Sequence, residues 1–220
     1  MKMLKYIIAF LSFWVAMAGC AKEEKIENTD TTVGESKIIF FPTIVTKGSK
    51  LVIIDQGTTY TDLGAEAILG GATTTYTTSG GPINTAAPGV YNLKYLAANP
   101  EGYTAEDFRT VVVIGNDVAA NNFSGTYRRA ATGVNSTWTK TAKGVYTVEN
   151  PGGAGAGTGL TVIAVNYTGN KIAIPKHVSP DFGVVSSGTE TYNAGASPIT
   201  YSWIFFAGGY GTGLRTFTKQ

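Results

Sequence analysis

The chain has 220 residues, 17 basic against 15 acidic for a formal net charge of +2, with 28 glycines, one histidine and one cysteine. A single cysteine excludes an intramolecular disulfide, so stability must come from packing or bound ions. Richness in glycine, tyrosine and threonine, with short alternating runs, argues against helices through most of the chain.

Residues 1–19 have the three parts of a secretory signal: Lys2 and Lys5, an apolar run at 6–15, then the small residues Ala16, Ala18 and Gly19. The run is shorter than the ~20 apolar residues a membrane-spanning helix needs. Cys20 follows Met17, Ala18 and Gly19 directly. This junction resembles the lipobox of bacterial lipoproteins, which implies that Cys20 becomes the N-terminus and carries acyl chains that bind the protein to a membrane. Lys22, Glu23 and Glu24 resemble the short export signal that sends Bacteroidetes-type lipoproteins to the exterior face of the outer membrane. Asp30, Thr31 and Thr32 resemble the O-glycosylation acceptor of that phylum. The residues alone also fit a secreted protein without lipid, a cytosolic protein with an apolar N-terminus in its core, and a charged tether over 20–37.

Charge divides unevenly after the tether. Residues 51–119 hold seven acids against Lys94 and Arg109, whereas 120–220 hold eight bases against Glu149, Asp181 and Glu190. A basic half of that size favours an acidic polysaccharide or another anionic partner, or serves only as a soluble surface. The bases are scattered and carry no nucleic-acid-binding signature, so no nucleic-acid partner is expected.

An all-β fold in two domains is expected, at 38–116 and 120–220. In the first, period-two alternation and turn residues predict strands at 38–41, 51–54, 67–69, 73–77, 90–97 and 109–114. Tyr91, Leu93 and Tyr95 should face a core while Asn92 and Lys94 face water. Strands at this spacing predict a β-sandwich. The ordered blocks Tyr60, Asp62, Gly64 and Ala65, then Pro88, Gly89 and Tyr91, then Tyr95, then Glu101 and Gly102, then Arg109, Val111, Val112 and Val113 resemble the bacterial immunoglobulin-like domain first noted in pesticidal crystal proteins. The resemblance implies a spacer or interaction module with no catalytic residues to transfer. Asp55, Asp62 and Asp107 offer oxygen ligands to Ca²⁺, although no Asp-x-Asp-x-Asp loop is present, and turn capping competes with that reading.

A polar break at 115–122 reads as the linker. Beyond it, strands are predicted at 125–129, 144–149, 160–167, 171–175, 183–186, 199–207 and 214–218, which suit an antiparallel sandwich or a partly closed barrel. Phe123 to Arg129, Gly144 to Tyr146 and Arg215 to Thr218 resemble the small β domain that follows such modules in lipoproteins beside glycan-uptake systems.

The candidate ligand contacts are aromatic: Trp138, Tyr210 and Trp203, with Tyr201, Phe205 and Phe206 behind them. Indole and phenol faces suit the C–H face of a sugar ring. Alternation over 199–206 puts Tyr201, Trp203 and Phe205 on one face, at least partly core, and Ile204 with Phe206 on a second covered face. Trp138 and Tyr210 lie in polar and glycine-rich surroundings and are expected to be exposed.

No catalytic residue, metal site or cofactor is expected. The lone His177 lacks strong co-ligands. The run of glycines at 152–159 leads into a strand rather than the helix a phosphate cradle needs, and reads as a flexible hairpin loop. These readings describe a non-enzymatic outer-membrane surface lipoprotein that binds polysaccharide or serves an outer-membrane transport partner. The alternative is a structural or adhesive spacer that binds another protein and no small ligand.

Overall fold

The computed structural model describes residues 32–33 and 36–220 and contains, among them, strands and two short 3₁₀ turns but no α-helix. None of the described helical segments is long and apolar enough to cross a membrane. The leader, Cys20, and Lys22 with Glu23 and Glu24 lie outside the described residues. Residues 1–40 cluster as one unit, in which β1 (Thr32–Val33) pairs with β2 (Ser36–Lys37). The strand expected at 38–41 is absent, and after β2 pairing resumes only at residue 43. The intervening Pro42 has no N–H to give to a ladder.

Residues 41–220 cluster as a second unit. It begins with β3 (Thr43–Thr46), β4 (Leu51–Asp55), β5 (Ala65–Leu69), β6 (Ala72–Thr74), β7 (Thr77–Ser79), β8 (Gly89–Ala98) and β9 (Thr104–Ile114). These make a three-stranded sheet, β3-β5-β6, and a four-stranded one, β4-β9-β8-β7. Consecutive β3 and β4 belong to opposite sheets, and β4 runs parallel to β9. A chain that changes sheet here needs a sharp turn, and Gly48 supplies it at φ 78°. Ile44, Ala65, Ala67, Leu93, Tyr95 and Ala97 fill the space between the sheets. Leu93 and Tyr95 point inward, and Asn92 and Lys94 outward, as the alternation predicts. Tyr91 is half-buried at the rim, where its hydroxyl donates to Ala87 O at 2.8 Å.

The rest is a single nine-stranded antiparallel sheet. Its strands are β10 (Gly125–Arg129), β11 (Asn135–Ala142), β12 (Val145–Glu149), β13 (Thr161–Thr168), β14 (Lys171–Ala173), β15 (His177–Ser179), β16 (Gly183–Asn193), β17 (Thr200–Phe206) and β18 (Leu214–Lys219). They lie in the order β14-β13-β12-β11-β10-β18-β17-β16-β15, and the sheet curls into a partly closed barrel. The two ends of the sheet meet where Ser187 N donates to Ile174 O at 3.0 Å and Ile174 N donates to Ser187 Oγ at 2.6 Å.

Side chains complete the closure beside the start of β13. Thr161 N donates to the Asp181 carboxylate at 2.8 Å, Ile163 N to His177 Nε2 at 3.3 Å, and Ser179 Oγ donates to Thr161 O at 3.0 Å. Strand-edge groups that would otherwise lack partners are thereby satisfied. The barrel interior is aromatic: Tyr127, Trp138, Tyr146, Tyr201, Trp203 and Phe217 are all at most 1% exposed.

The two β modules share a third core. Val112 and Ile114 of β9 meet Val118, Val165 and Ala173, with Leu51, Ile53, Val90 and Tyr167 packed around them. This explains why β9 is buried on both faces over its final residues, one face against the sandwich core and the other against the barrel. The segment read as a linker is fastened. Gly115 N donates to Tyr167 O at 2.8 Å, and Asp117 accepts from Gly169 N at 2.7 Å and Thr168 Oγ1 at 3.0 Å. Lys143 pairs with Asp55 at 2.7 Å, and Lys176 Nζ lies 4.1 Å from the Phe108 ring centre, both across the seam.

Candidate functional site

The expected exposure of Trp138 is corrected: it is 1% exposed, at the centre of the barrel core. Asn135–Ala142, whose polar sequence carries no expected strand, is strand β11, and its alternation turns Ser136 and Trp138 inward. Ser136 tolerates burial because its hydroxyl donates to Glu149 O at 3.0 Å. Trp203 is fully buried as well, and its indole N–H donates to Pro151 O at 2.9 Å. Neither indole offers a face to solvent, so both leave the set of surface contacts. Tyr201 and Phe205 are also core, whereas Phe206, expected to be covered, is 38% exposed on the outer face.

Tyr210 alone of the three candidates reaches the surface, half-buried at one end of the barrel. Its ring packs edge-on against Phe205 at 4.9 Å and Phe182 at 5.7 Å. The glycine-rich segment 152–159, expected as a flexible hairpin loop, is partly built into this end. Gly152, Gly153 and Gly157 are buried. A methyl group on Gly152 would overlap the Tyr210 ring, and one on Gly153 would come within 2.7 Å of both Arg129 Cδ and Phe217 Cε1. Those glycines are required by close approach, not by flexibility.

Two arginines hold the same end. Arg129 donates to Gly152 O at 3.2 Å and Gly153 O at 3.4 Å, and Arg215 donates to Gly213 O at 2.9 Å and to Tyr210 O. The Arg215 guanidinium carbon lies over the Tyr210 ring, 5.5 Å from its centre. Burial, and after it the charge of Arg129, hold the Arg215 pKa below the ordinary arginine value.

A second feature is an open cleft of about 820 Å³ in the seam between the modules, lined by Ser49, Lys50, Leu51 and Ile53 on one side and Ile163, His177 and Val178 on the other. Val178 and Val184, paired across β15 and β16, are each 51% exposed beside it. His177 is 4% exposed, and its Nδ1 lies 2.7 Å from Pro175 O. A carbonyl only accepts, so Nδ1 carries the proton and Nε2 accepts from Ile163 N. Burial lowers the His177 pKa, against the opposing effect of the Pro175 hydrogen bond.

The three aspartates offered to calcium are each taken by a cation instead: Asp55 by Lys143, Asp107 by Lys50 at 2.5 Å, and Asp62 by Arg109. No group of three or more metal-ligating side chains occurs among the described residues. Arg109 also donates to Ser49 O at 3.1 Å and to Lys47 O, which pins the turn where the chain changes sheet. Tyr95 OH donates to Asp62 at 2.7 Å. Burial works against the Asp62 carboxylate, but the hydrogen bonds from Tyr95 and Gly64 and the Arg109 charge outweigh it and lower the pKa. The Asp62, Tyr95 and Arg109 motif residues therefore act as an internal fastening of the sandwich.

Residues 44–113 match the family model described as "Bacterial surface protein, Ig-like domain". The chain is also similar to the crystal structure of the lipoprotein BT2262 from Bacteroides thetaiotaomicron, at 22% identity and a TM-score of 0.37, over 82% of this chain and 100% of that one. No curated protein matches. Over residues 44–113, the two packed sheets and this match identify an Ig-like domain.

Proposed function

We propose that this chain is a non-enzymatic lipoprotein anchored at Cys20 in the outer membrane and facing the cell exterior, where it binds glycan as an accessory subunit of an uptake complex. The observation that carries the reading is the shared core of Val112, Ile114, Val118, Val165 and Ala173. A spacer joined to its partner domain through a packed apolar seam holds that domain at a fixed angle, which suits a subunit that must present a surface to a neighbouring transporter. The surface-protein family of residues 44–113 supports the location. Tyr210 and the basic charge of 120–220 support a glycan contact at the free end of the barrel.

The test of the anchor is protease shaving of intact cells that produce the wild type or Cys20→Ser. Wild type in the membrane fraction, cleaved by external protease, supports the reading. A wild type that is soluble, or that is protected until cells are lysed, contradicts it.

A second reading, a spacer that binds another protein and no small ligand, is favoured by the apolar cleft with Leu51, Ile53, Ile163 and Val178. Under that reading, substitution of Val178 by Asp would abolish complex formation while Tyr210→Ala would leave it intact.

A further inference from the structure

Arg129 and Arg215 are diagonal neighbours on β10 and β18, because Arg129 pairs with Phe217 and Arg215 lies two residues before it. Arg215 is 6% exposed, Arg129 is half-buried, and the Nε atoms of both are buried without a hydrogen-bond partner. Every partner their other N–H groups have is a neutral backbone carbonyl. The carboxylates of 120–220 are engaged elsewhere. Glu149 accepts from Gly159 N at 2.9 Å, Asp181 from Thr161 N at 2.8 Å and Glu190 from Ser187 Oγ at 2.6 Å.

Stapling carbonyls needs donors but no charge. Two adjacent guanidiniums, one buried and one half-buried, without a counter-ion are costly, and the usual remedy is a fixed anion. Resting on the glycan reading above, we infer that Arg129 and Arg215 bind the carboxylate of an acidic sugar residue at the free end of the barrel. Paired guanidiniums recognise a carboxylate through charge-assisted, planar hydrogen bonds. The half-buried Tyr210 ring, its centre 5.5 Å from the Arg215 guanidinium carbon, puts an aromatic contact for the sugar beside the arginines, a feature an acidic side chain would not need. Gly208, Gly209, Gly211 and Gly213 are exposed in the loop that carries Tyr210.

The full-length protein in detergent, at fixed ionic strength, is assayed for binding to polygalacturonate, to a neutral galactan and to polyglutamate, and for thermal stabilisation by free galacturonate. Arg129→Gln, Arg215→Gln and, as a control for diffuse charge on edge strand β14, Lys171→Gln are measured beside it. Half-buried Arg129 gives a variant that keeps the core, so the test stands even where Arg215→Gln fails to fold. Polygalacturonate binding at least tenfold tighter than galactan, weakened at least tenfold by Arg129→Gln and unchanged by Lys171→Gln, is the expected result. Equal binding by wild type and Arg129→Gln, or polyglutamate as good a ligand as polygalacturonate, overturns the inference. Binding of galactan alone, kept in both arginine variants, overturns the arginine site and leaves the glycan reading standing. Stabilisation by free galacturonate, lost in Arg129→Gln, without retention of any polysaccharide upholds the site and contradicts the polysaccharide reading.

Discussion

Trp138 and Trp203 lie stacked inside the barrel, ring centres 5.4 Å apart and planes 22° from parallel. They sit on β11 and β17, which do not pair, so their contact crosses the barrel interior. Trp138→Ala removes a fully enclosed indole, and the expected loss is about 3–5 kcal/mol of stability. Thermal melts of the variant check the loss, and acrylamide quenching of a fragment from Ile38 to Gln220, which leaves out Trp14, should be weak because both remaining indoles are shielded. A stable variant would mean that the barrel core is not closed around this pair.

The buried Arg109 and its partner Asp62 give a second expectation. Asp62→Ala leaves Arg109 at 2% side-chain exposure without its carboxylate, at a cost of about 3 kcal/mol. Asp62→Leu combined with Arg109→Met should recover most of that loss, as seen by chemical denaturation. The folded pKa of Asp62 is depressed, so the pair's stabilisation is complete above the unfolded carboxylate value of about 3.9 and is lost as pH falls through the folded value.

His177 titrates in a different window. Its folded pKa is depressed by burial, so the unfolded chain takes up the proton first as pH falls. Its contribution is complete above about 6.5 and declines below it. The protection of the Ile163 amide, whose hydrogen bond His177 Nε2 accepts, should fall between pH 7.5 and 5.5 once exchange is divided by the intrinsic rate at each pH. His177→Gln should remove that pH dependence.

Glycines of one segment should differ sharply. Gly152→Ala forces the Tyr210 ring to move and is expected to cost about 1–3 kcal/mol. Gly155 has open space around it, and Gly155→Ala should stay within about 0.5 kcal/mol. Equal effects in denaturant melts would show that the segment does not pack on Tyr210.

Much of the fold was legible because alternation is a local signal. Leu93 and Tyr95 declare an inner face, and the valines after Arg109 declare a strand. Trp138 was misread because Ser136 and the threonines around it look polar, although Thr137 and Thr139 are good strand formers and a buried serine needs only one carbonyl. The glycines at 152 and 153 could not be read from their neighbours at all. The ring and side chains that demand them, Tyr210, Phe217 and Arg129, come from 24 to 64 residues away in the chain. The same holds for His177, Ser179 and Asp181, whose partners on β13 are fixed only when the sheet curls.

The most direct measurement is the migration of the full-length protein through native gels cast with neutral or acidic polysaccharides, with Tyr210→Ala run alongside. Retardation by a polysaccharide, weakened in Tyr210→Ala, is the expected result for a surface glycan-binding subunit. Unretarded migration in every gel would contradict glycan binding and leave the protein-binding spacer as the function of this chain.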